Sequence, residues 1–437
     1  MNNFSKGSPR VCIIGAGPSG ITTAKNLLQQ GLTNFTVFEK SHRLGGNWVY
    51  DENNEHSSVY ETTHIISSNF LSSFEDFPMP FEYPVYPSHV LMLKYFEDYA
   101  RYFGVEPYIR FNTKLERAVP VENNQWKISY SDDTGTHEAI YDYLLVANGH
   151  HWDPCLPKYP GEFKGELLHS HQYKKAASFK DKRVLVIGGG NSACDIAVEI
   201  SQVAQRSCIS MRNGQHIFPK FIFGKPTDLL FSKMKWLPFW LKQKLVAAVI
   251  ALVQGRNTKY FVQNPTCKPL QSHPTINSQL FYSIRHGKVF TYFGLVRFEG
   301  NTVHFTDGRQ EDFDTVIFAT GYKINFPFFD KQLIDFSGLT RVPLYRKMMH
   351  PEFDNLYFIG LFQPQGCIWP LADYQAKIAA KIITGRLKRP ANLPQKINKE
   401  IKKSCAQYKE SPRHALEVDY HIFRRQLLKE LKKEKRL

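Results

Sequence analysis

Short runs of consecutive apolar residues, rich in β-branched side chains, recur along the chain, and several of them end directly before a glycine. Val11–Ile14 precedes Gly15, and the run at 184–187 precedes Gly188. Runs that are apolar at every position, rather than at every second one, are typical of strands buried on both faces of a parallel sheet. The same reasoning predicts further strands at 35–38, 141–147, 207–211, 315–319 and 356–359, and a helix at 21–28.

The order of these elements indicates an α/β fold. Two strand–helix–strand units begin at Val11 and Val184, and the alternating stretch 301–307 with its Asp307-Gly308 turn predicts a hairpin. We therefore expect two dinucleotide-binding, Rossmann-like domains of three layers, the second inserted into the first. The predicted bounds are 1–170 for the first part of the first domain, 171–321 for the second domain with a helical insertion at about 226–285, 322–385 for the return to the first domain, and 386–437 for a basic helical tail.

The turn after the first strand reads GAGPSG. In such a turn the first glycine permits the tight bend, the second lets the backbone approach a pyrophosphate, and the third lets the helix pack on the strand. Glu39 ends the next strand, where a carboxylate accepts hydrogen bonds from ribose hydroxyls. The segment RLGGNW then supplies paired glycines and an aromatic wall. The predicted first site comprises Gly15, Ala16, Gly17, Pro18, Ser19, Gly20, Glu39, Lys40, Gly46, Asn47 and Trp48.

The turn after 184–187 repeats the glycine pattern as GGGNSA, but no acidic residue ends its second strand. Arg212 lies there instead, with Arg206 on the approach. Because arginine pairs bidentately with phosphate, this favours NADPH over NADH, although an exposed surface cation is the alternative for each arginine. Two dinucleotides in one chain point to a flavin and a nicotinamide that exchange hydride. The predicted second site comprises Gly188, Gly190, Asn191, Ser192, Ala193, Asp195, Arg206 and Arg212.

The net charge of +16 is unevenly distributed. Residues 386–437 contain sixteen Lys/Arg and six Asp/Glu, a net +10. A solvated helical face explains this excess, and contact with an anionic membrane is the alternative. For the segment 226–254 we favour a helical lid or a packed helical excursion, and an interfacial helix, suggested by Trp236 and Trp240 beside lysines, is the alternative. No nucleic-acid-binding motif accompanies these charges, so no nucleic-acid partner is predicted.

Composition favours a cytoplasmic enzyme. The N-terminal segment MNNFSKGSPR does not resemble a signal peptide, and no apolar run reaches the length of a membrane span. The seven cysteines form no CxxC pair and the sixteen histidines no HExxH, so we expect neither a redox-active disulfide nor a metal site. A cytoplasmic enzyme that contacts a membrane at its surface is the alternative. The sequence does not determine the oligomeric state, and a homodimer is compatible with it.

Between the two glycine turns lies FKGELLHSHQY, with Phe163, Gly165, His169 and Tyr173. In this pattern the chain resembles the flavin-containing monooxygenases, whose identifying motif F-x-G-x-x-x-H-x-x-x-(Y/F) stands between two glycine fingerprints. The segments GGNW, EDFPMP, VANGHH, GGGNSACDIA and FATGY agree, so the resemblance covers about 11–380. Baeyer–Villiger monooxygenases are similar but carry Trp at the position of Tyr173. We expect His169 to brace the junction between domains rather than to transfer protons.

The resemblance implies FAD at the first site, NADPH (NADP+ after hydride transfer) at the second, and O2 as co-substrate. In this family reduced FAD forms a C4a-hydroperoxyflavin, and a nucleophilic nitrogen or sulfur of a small amine or sulfide takes the distal oxygen. Baeyer–Villiger insertion, oxidative decarboxylation and uncoupled NADPH oxidation are the alternatives.

One position departs from the family. Its members commonly carry an Asn near the flavin, ten residues before the Asp of the DFP stretch. That Asp is Asp76 here, so the equivalent position holds Ile66, and the nearest Asn is Asn69. The spacing favours Ile66 at the flavin edge, and a shifted loop that presents Asn69 is the alternative.

Overall fold

The computed structural model describes residues 7–52 and 56–434, so the first six residues of the predicted signal-free N-terminus lie outside the described residues. The strands are β1 (Val11–Ile14), β2 (Phe35–Phe38), β3 (Ile109–Arg110), β4 (Lys114–Val121), β5 (Gln125–Asp132), β6 (Gly135–Tyr141), β7 (Tyr143–Val146), β8 (Glu166–His169), β9 (Arg183–Ile187), β10 (Arg206–Ser210), β11 (Ile217–Phe218), β12 (Phe221–Ile222), β13 (Lys225–Pro226), β14 (Thr275–Ile276), β15 (Val289–Tyr292), β16 (Leu295–Glu299), β17 (Thr302–Phe305), β18 (Gln310–Asp312), β19 (Thr315–Phe318), β20 (Leu356–Phe358), β21 (Gln363–Pro364) and β22 (Glu417–Val418).

The α-helices are α1 (Pro18–Gln29), α2 (Asn69–Ser72), α3 (His89–Tyr102), α4 (Asn191–Ile200), α5 (Thr227–Ser232), α6 (Phe239–Val253), α7 (Leu280–Arg285), α8 (Trp369–Ile383), α9 (Leu393–Gln407) and α10 (Tyr420–Leu431). Among the described helices, none combines the length and the apolar character that crossing a bilayer requires.

The first compact unit, unit 1, comprises the described residues of 1–49, 69–150 and 323–437. Its central sheet has five parallel strands in the order β20-β7-β1-β2-β3. One face packs on the antiparallel sheet β4–β6 through side chains such as Ile14, Val146 and Trp126. Helix α1 packs against β1 as well as against α3 and α8. The chain leaves β1 in one direction to β2 and has β7 on the other side, so the sheet reverses its strand order beside β1.

The second compact unit, unit 2, comprises the described residues of 50–68 and 151–322. Its five parallel strands follow the order β15-β10-β9-β19-β8. Successive side chains of a strand point to opposite faces. Val184 and Val186 accordingly join the cluster formed with α4 and α7, whereas Leu185 and Ile187 join the cluster formed with β16 and β17. The sequence therefore buries both faces of β9, as its continuous apolar run predicted.

The predicted α/β class with two Rossmann-like units is confirmed, and β1 and β2 have the predicted bounds. The hairpin at Asp307-Gly308 is confirmed by the antiparallel pairing of β17 with β18. The main part of unit 2 begins after residue 150 rather than after 170, because β8 pairs with β19 in the second sheet. The residues ELLH of this edge strand lack the continuous apolar run that predicted the buried strands, because two of the four are exposed. The segment 50–68, which the predicted bounds placed in the first domain, also belongs to unit 2.

The C-terminal tail packs into unit 1. Phe423 and Leu427 of α10 are buried, and the ring of Phe423 lies 5.0 Å from that of Phe362. Lys399 and Lys402 of α9 are exposed. The tail therefore consists of amphipathic helices whose apolar side belongs to the core and whose lysines face solvent. Residues 435–437 lie outside the described part of the chain.

Candidate functional site

The first glycine turn has the shape that a pyrophosphate requires. Gly15 adopts φ +96°, and a Cβ there would lie 2.8 Å from the carbonyl oxygen of Ala147. A Cβ on Gly20 would lie 1.8 Å from the Gly15 oxygen, so only glycine lets α1 start so close to the strand. Gly17 precedes α1 in an extended conformation and has no side chain that could cap the helix. The helix N-terminus, which favours anions, is thus left to a ligand.

Glu39 holds this turn from the end of β2. Its carboxylate is 3% exposed and accepts hydrogen bonds from the backbone N–H of Ala16 at 2.7 Å and of Ser41 at 2.9 Å. Burial raises the pKa of Glu39, and the two backbone donors offset part of that rise. Each carboxylate oxygen has a second lone pair, so the group can bind the loop and still accept from a ribose hydroxyl.

The GGNW segment lies against the same turn. Gly45 and Gly46 have φ +120° and +56°, and a Cβ on Gly17 would lie 3.6 Å from the Gly46 Cα. The ring of Trp48 meets that of Trp369 edge-on at 5.6 Å. Trp369 in turn donates its indole N–H to the carbonyl oxygen of Ser72 in α2. Sequence analysis missed Trp369, because its contacts with Trp48 and Ser72 join distant parts of the chain.

A buried ionic network lies beneath the helix that follows the turn. The Lys25 ammonium group is fully buried and lies 2.7 Å from a carboxylate oxygen of both Asp76 and Asp373. Asp373 also accepts hydrogen bonds from the Thr22 hydroxyl at 2.6 Å and from the Asn26 amide at 2.7 Å. The DFP stretch that contains Asp76 is thereby fixed to α1 and α8. Sequence analysis used Asp76 only as a spacing marker and missed this function.

The two candidate flavin-edge residues fall in different units. Asn69 begins α2 in unit 1, donates its backbone N–H to the Val85 carbonyl at 2.8 Å, and has a buried side-chain oxygen with no hydrogen-bond partner among the described residues. Ile66 is half-buried and belongs to the segment 50–68 of unit 2. Because a buried amide oxygen without a partner is rare, Asn69 is the more informative of the two positions.

The second glycine turn repeats the geometry of the first. Gly188 has φ +145°, and a Cβ there would lie 2.4 Å from the carbonyl oxygen of Ala319. Gly190 precedes α4 without a side-chain cap, and Ala193 is fully buried where the helix meets the strand. Ser192 is exposed in the first turn of α4. The turn follows β9, beside which the second sheet reverses its strand order, and ligands of such sheets bind there.

Side chains remote in sequence support this turn. The Asn191 amide oxygen accepts from the Ile276 N–H at 2.6 Å, and the Thr275 hydroxyl donates to the Gly189 carbonyl at 2.8 Å. Asp195 accepts from the Asn277 amide at 2.6 Å and from the Tyr60 hydroxyl at 3.2 Å. Burial raises the pKa of Asp195, against the lowering effect of nearby Lys220 and of these two donors. Asp195 thus binds the side chains of Asn277 and Tyr60, two contacts that the sequence did not predict.

The structure separates the two predicted arginines. Arg212 is exposed two residues beyond β10, at the edge of the sheet that holds the glycine turn, and it forms no ion pair with any described residue. Arg206 begins β10, four residues before the end that carries the turn, or about 13 Å away. It forms an ion pair with Glu311 and lies 3.7 Å from the Phe290 ring centroid. Arg206 therefore lies at the sheet edge opposite to the glycine turn, where it pairs with Glu311, and its contact with NADPH stays a prediction that this position does not favour.

The motif between the fingerprints serves packing. A Cβ on Gly165 would lie 2.5 Å from the Asp314 carbonyl and 2.7 Å from the Phe163 ring, so the glycine lets the two strands approach. Tyr173 is fully buried and meets the Tyr60 ring edge-on at 5.4 Å. His169 is also buried, its Nδ1 accepts from the His171 N–H at 3.1 Å, and burial together with His171 lowers the pKa of His169 to about 4. A neutral, buried imidazole is unsuited to proton transfer near pH 7, and the predicted place of His169 at the junction between domains stays a prediction.

Comparison with known proteins identifies the family. The family model described as flavin-binding monooxygenase-like matches residues 8–435, which extends the predicted resemblance through the C-terminal tail. The chain is 35% identical over 433 residues to flavin-containing monooxygenase 5 of Rattus norvegicus. It is 32% identical over 431 residues to dimethylaniline monooxygenase [N-oxide-forming] 2 of Oryctolagus cuniculus. Each comparison covers 94% of this chain and 80% of the relative.

Solved structures share the fold. S-allyl-L-cysteine S-oxygenase from Allium sativum superposes with a TM-score of 0.73 at 22% identity, covering 98% of this chain and 89% of that one. Cyclohexanone monooxygenase from Rhodococcus sp. Phi1, solved with NADP+, gives a TM-score of 0.72 at 16% identity and covers 98% of both chains. The fold, the two glycine turns and the nearly complete family match lead to one conclusion: the chain belongs to the flavin-binding monooxygenase-like family and is an FAD- and NADPH-dependent monooxygenase.

Proposed function

We propose that unit 1 binds FAD, that unit 2 binds NADPH, and that the enzyme oxygenates a nucleophilic nitrogen or sulfur of a small organic substrate. One observation carries the assignment: two parallel sheets of like topology each present an uncapped helix N-terminus behind a glycine turn, one beside Glu39 and the other beside Arg212. When bound, the reduced flavin supplies the activation of O2, and the protein positions the groups and excludes water.

In unit 1 the backbone from Gly15 to Gly20 would hold the pyrophosphate, since the N–H groups at the start of α1 point toward it. Glu39 would accept hydrogen bonds from a ribose. The Gly46–Trp48 turn would cover the cofactor, with Asn47 offering an amide and Trp48 an aromatic face. Lys40, exposed beside Glu39, would lie near the same ribose.

In unit 2 the turn from Gly188 to Ala193 would hold the NADPH pyrophosphate, with the exposed Ser192 hydroxyl as a further donor. Arg212 would pair with the 2′-phosphate, because it lies at the correct sheet edge and has no acidic partner among the described residues. Asn191 and Asp195 would act by fixing the turn rather than by touching the coenzyme.

Asn69 rather than Ile66 is proposed for the flavin edge. It begins α2, whose Ser72 carbonyl accepts from Trp369, and Trp369 contacts Trp48 beside the first glycine turn. The Asn69 amide therefore lies in the unit that would hold FAD and is connected to its turn by direct contacts. Spacing along the chain had favoured Ile66.

Two observations support the proposed substrate class. The relatives include an enzyme named for N-oxide formation. Tyr173 also occupies the position at which the similar Baeyer–Villiger enzymes carry Trp. A small amine or sulfide is therefore the proposed substrate, and a ketone is the alternative to be tested beside it.

The cofactor assignment is tested by Gly17→Val, which places a branched side chain where the pyrophosphate would lie. Wild-type protein should be yellow and release FAD on heating, and the variant should bind FAD at least tenfold more weakly while keeping its affinity for NADPH. Full FAD occupancy in Gly17→Val would disprove the site. Gly7→Val is the matched glycine control, since a Cβ there would meet no neighbour within 4 Å and the backbone is not left-handed.

The reaction is tested by following product, NADPH and hydrogen peroxide together with a tertiary amine, a sulfide and a ketone. Oxygenated amine or sulfide formed in proportion to NADPH supports the proposal. Asn69→Ala should raise peroxide per NADPH, whereas Ile66→Ala should not. NADPH oxidation that yields peroxide with all three compounds would show an oxidase instead.

We also propose that the segment 226–254 contacts a membrane surface. Val246 of α6 packs in a cluster with Phe218 and Leu270, but Trp236, Trp240 and Leu252 are 76%, 59% and 78% exposed. Exposed lysines flank them at 233, 235 and 244. Exposed tryptophans beside lysines suit the interface of an anionic bilayer.

Co-sedimentation with phosphatidylserine-containing vesicles tests this contact. Wild type should bind, and Trp236→Ser with Trp240→Ser should abolish binding while leaving NADPH oxidation unchanged. Binding that persists in this variant but is lost on replacing Lys399 and Lys402 by Gln would assign the contact to the tail instead. Size-exclusion chromatography of the same proteins tests the homodimer.

A further inference from the structure

A tight turn in unit 1 is built from residues that rarely form one. Arg346 and Lys347 both have left-handed backbone angles, with φ +51° and +54°. They connect Tyr345 to Met348 and Met349, whose N–H groups donate to the Tyr345 carbonyl at 3.0 Å each. A turn with two successive left-handed residues normally carries Asn and Gly, because a Cβ is disfavoured there. The turn must therefore be held by its surroundings.

The C-terminal tail supplies these holding contacts. Arg346 forms ion pairs with Glu400 of α9 and, at 3.1 Å, with Glu430 of α10. The Glu400 carboxylate also accepts from the Arg346 backbone N–H at 3.0 Å. Glu430 is 2% exposed and accepts from the Tyr345 hydroxyl at 2.6 Å. The Lys347 ammonium donates to the Ala415 carbonyl at 2.9 Å.

The turn is connected to the first glycine fingerprint through one side chain. Gln375 of α8 is fully buried; its amide N–H donates to the Arg346 carbonyl at 2.8 Å, and its amide oxygen accepts from the Gly360 N–H at 2.9 Å. Gly360 has φ +81° and lies so close to Ser19 that a Cβ would come within 2.2 Å of the Ser19 hydroxyl oxygen. Ser19 belongs to the first turn of α1, at the proposed pyrophosphate site.

We propose that Arg346 is a positioning residue for FAD. Glu400 and Glu430 hold it in the left-handed conformation, which places its carbonyl for Gln375, and Gln375 then fixes Gly360 against Ser19. The tail of this chain would thus set the shape of the FAD loop without touching the cofactor. This inference rests on the proposed FAD site.

Two substitutions at one position separate conformation from charge. Arg346→Ala removes both ion pairs and keeps the cost of a left-handed residue with a Cβ. Arg346→Gly removes the same ion pairs, but glycine adopts the turn freely. We expect the FAD dissociation constant of Arg346→Ala to rise about tenfold and that of Arg346→Gly to stay within about threefold of wild type.

The constants are measured by flavin fluorescence as apoprotein is titrated with FAD, with NADPH affinity as the control for unit 2. Equal rises for Ala and Gly would mean that the ion pairs merely stabilise the unit, and no rise for either would remove the connection altogether; both overturn the proposal. Glu400→Gln serves if Arg346→Ala does not fold: it should weaken FAD binding on its own but add nothing to Arg346→Gly. An additive effect there overturns the proposal as well. Gly17→Val in the same assay reports separately whether the FAD site itself is correctly assigned.

Discussion

Replacing Lys25 by methionine removes the cation that lies between two carboxylates inside unit 1. The Lys25 ammonium is fully buried and 2.7 Å from both Asp76 and Asp373. Methionine matches the lysine side chain as far as Cε and brings no charge. The Asp76 carboxylate is 31% exposed and can be hydrated, but that of Asp373 is only 6% exposed. The variant therefore leaves one uncompensated buried charge.

The expected loss in the free energy of unfolding follows from these exposed fractions. Breaking a buried ion pair by removing one partner costs about 3–5 kcal/mol. The lower end applies, because Lys377 stays 3.8 Å from Asp373, and the Thr22 and Asn26 hydrogen bonds also stay. With an unfolding entropy of about 2.1 cal/mol/K per residue over about 250 residues, about 3 kcal/mol corresponds to a fall in Tm of about 6 °C.

The cost should depend on pH. Burial raises the pKa of Asp373, but Lys25 and Lys377 outweigh burial and hold it below its ordinary value. In wild type this carboxylate stabilises the fold above pH 4, and the contribution is lost as the pH falls through the depressed pKa. In Lys25→Met burial prevails and the pKa rises, so the penalty should be largest at pH 7 and smaller at pH 5.

Thermal unfolding of the holoenzyme, followed by flavin fluorescence and circular dichroism at pH 7 and pH 5, measures the effect. Lys94→Met is the matched control: it breaks an exposed pair with Asp98 and should shift Tm by about 1 °C or less. Asp373→Asn combined with Lys25→Met should recover part of the loss, because it removes the stranded charge. A Tm for Lys25→Met within 1 °C of wild type at pH 7, or a loss equal at both pH values, would refute the reasoning.

Three further predictions concern unit 2. Arg212→Ala should raise the KM for NADPH about 10- to 150-fold and leave the KM for NADH nearly unchanged, since a charged hydrogen bond contributes about 1.5–3 kcal/mol. Arg206→Ala is the control, and an equal rise in KM for both coenzymes would contradict a contact between Arg212 and the 2′-phosphate. Asp195→Ala leaves the Tyr60 hydroxyl unpaired and should weaken NADPH binding about tenfold, whereas Asp195→Asn keeps an acceptor and should bind NADPH like wild type. Identical NADPH dissociation constants for the two variants would exclude a positioning role for Asp195. The pKa of His169 is about 4 in the folded protein and 6.5 in the unfolded chain, so the unfolded chain takes up the proton first and the free energy of unfolding should fall from pH 6.5 to pH 4. Urea unfolding of His169→Gln should show a weaker dependence of this free energy on pH, and an unchanged dependence would contradict the role of His169.

The sequence predicted those strands and turns that depend on a few consecutive residues. The continuous apolar runs of β1 and β9 are necessary for strands buried on both faces, and the following glycines are necessary for turns in which a Cβ would meet the neighbouring backbone. The edge strand β8 was not predicted, because its sequence ELLH lacks the continuous apolar run of β1 and β9 and it is defined only by pairing with β19. Arg206 shows the same limit: its sequence distance from the turn is short, but the direction of β10 places it at the far edge of the sheet.

The sequence by itself determined the two glycine turns, the residues Glu39 and Arg212 that follow the second strand of each unit, and the motif that marks the family, since each depends on a few residues close together in the chain. Only the tertiary structure decided which remote side chains support those turns. Lys25 meets Asp373, Asp195 meets Tyr60, and Arg346 meets Glu430 across separations of 84 to 348 residues. Contacts of this kind form where packed helices and strands bring polar groups together away from water. The local pattern of apolar and polar residues does not predict which partner a buried charge contacts.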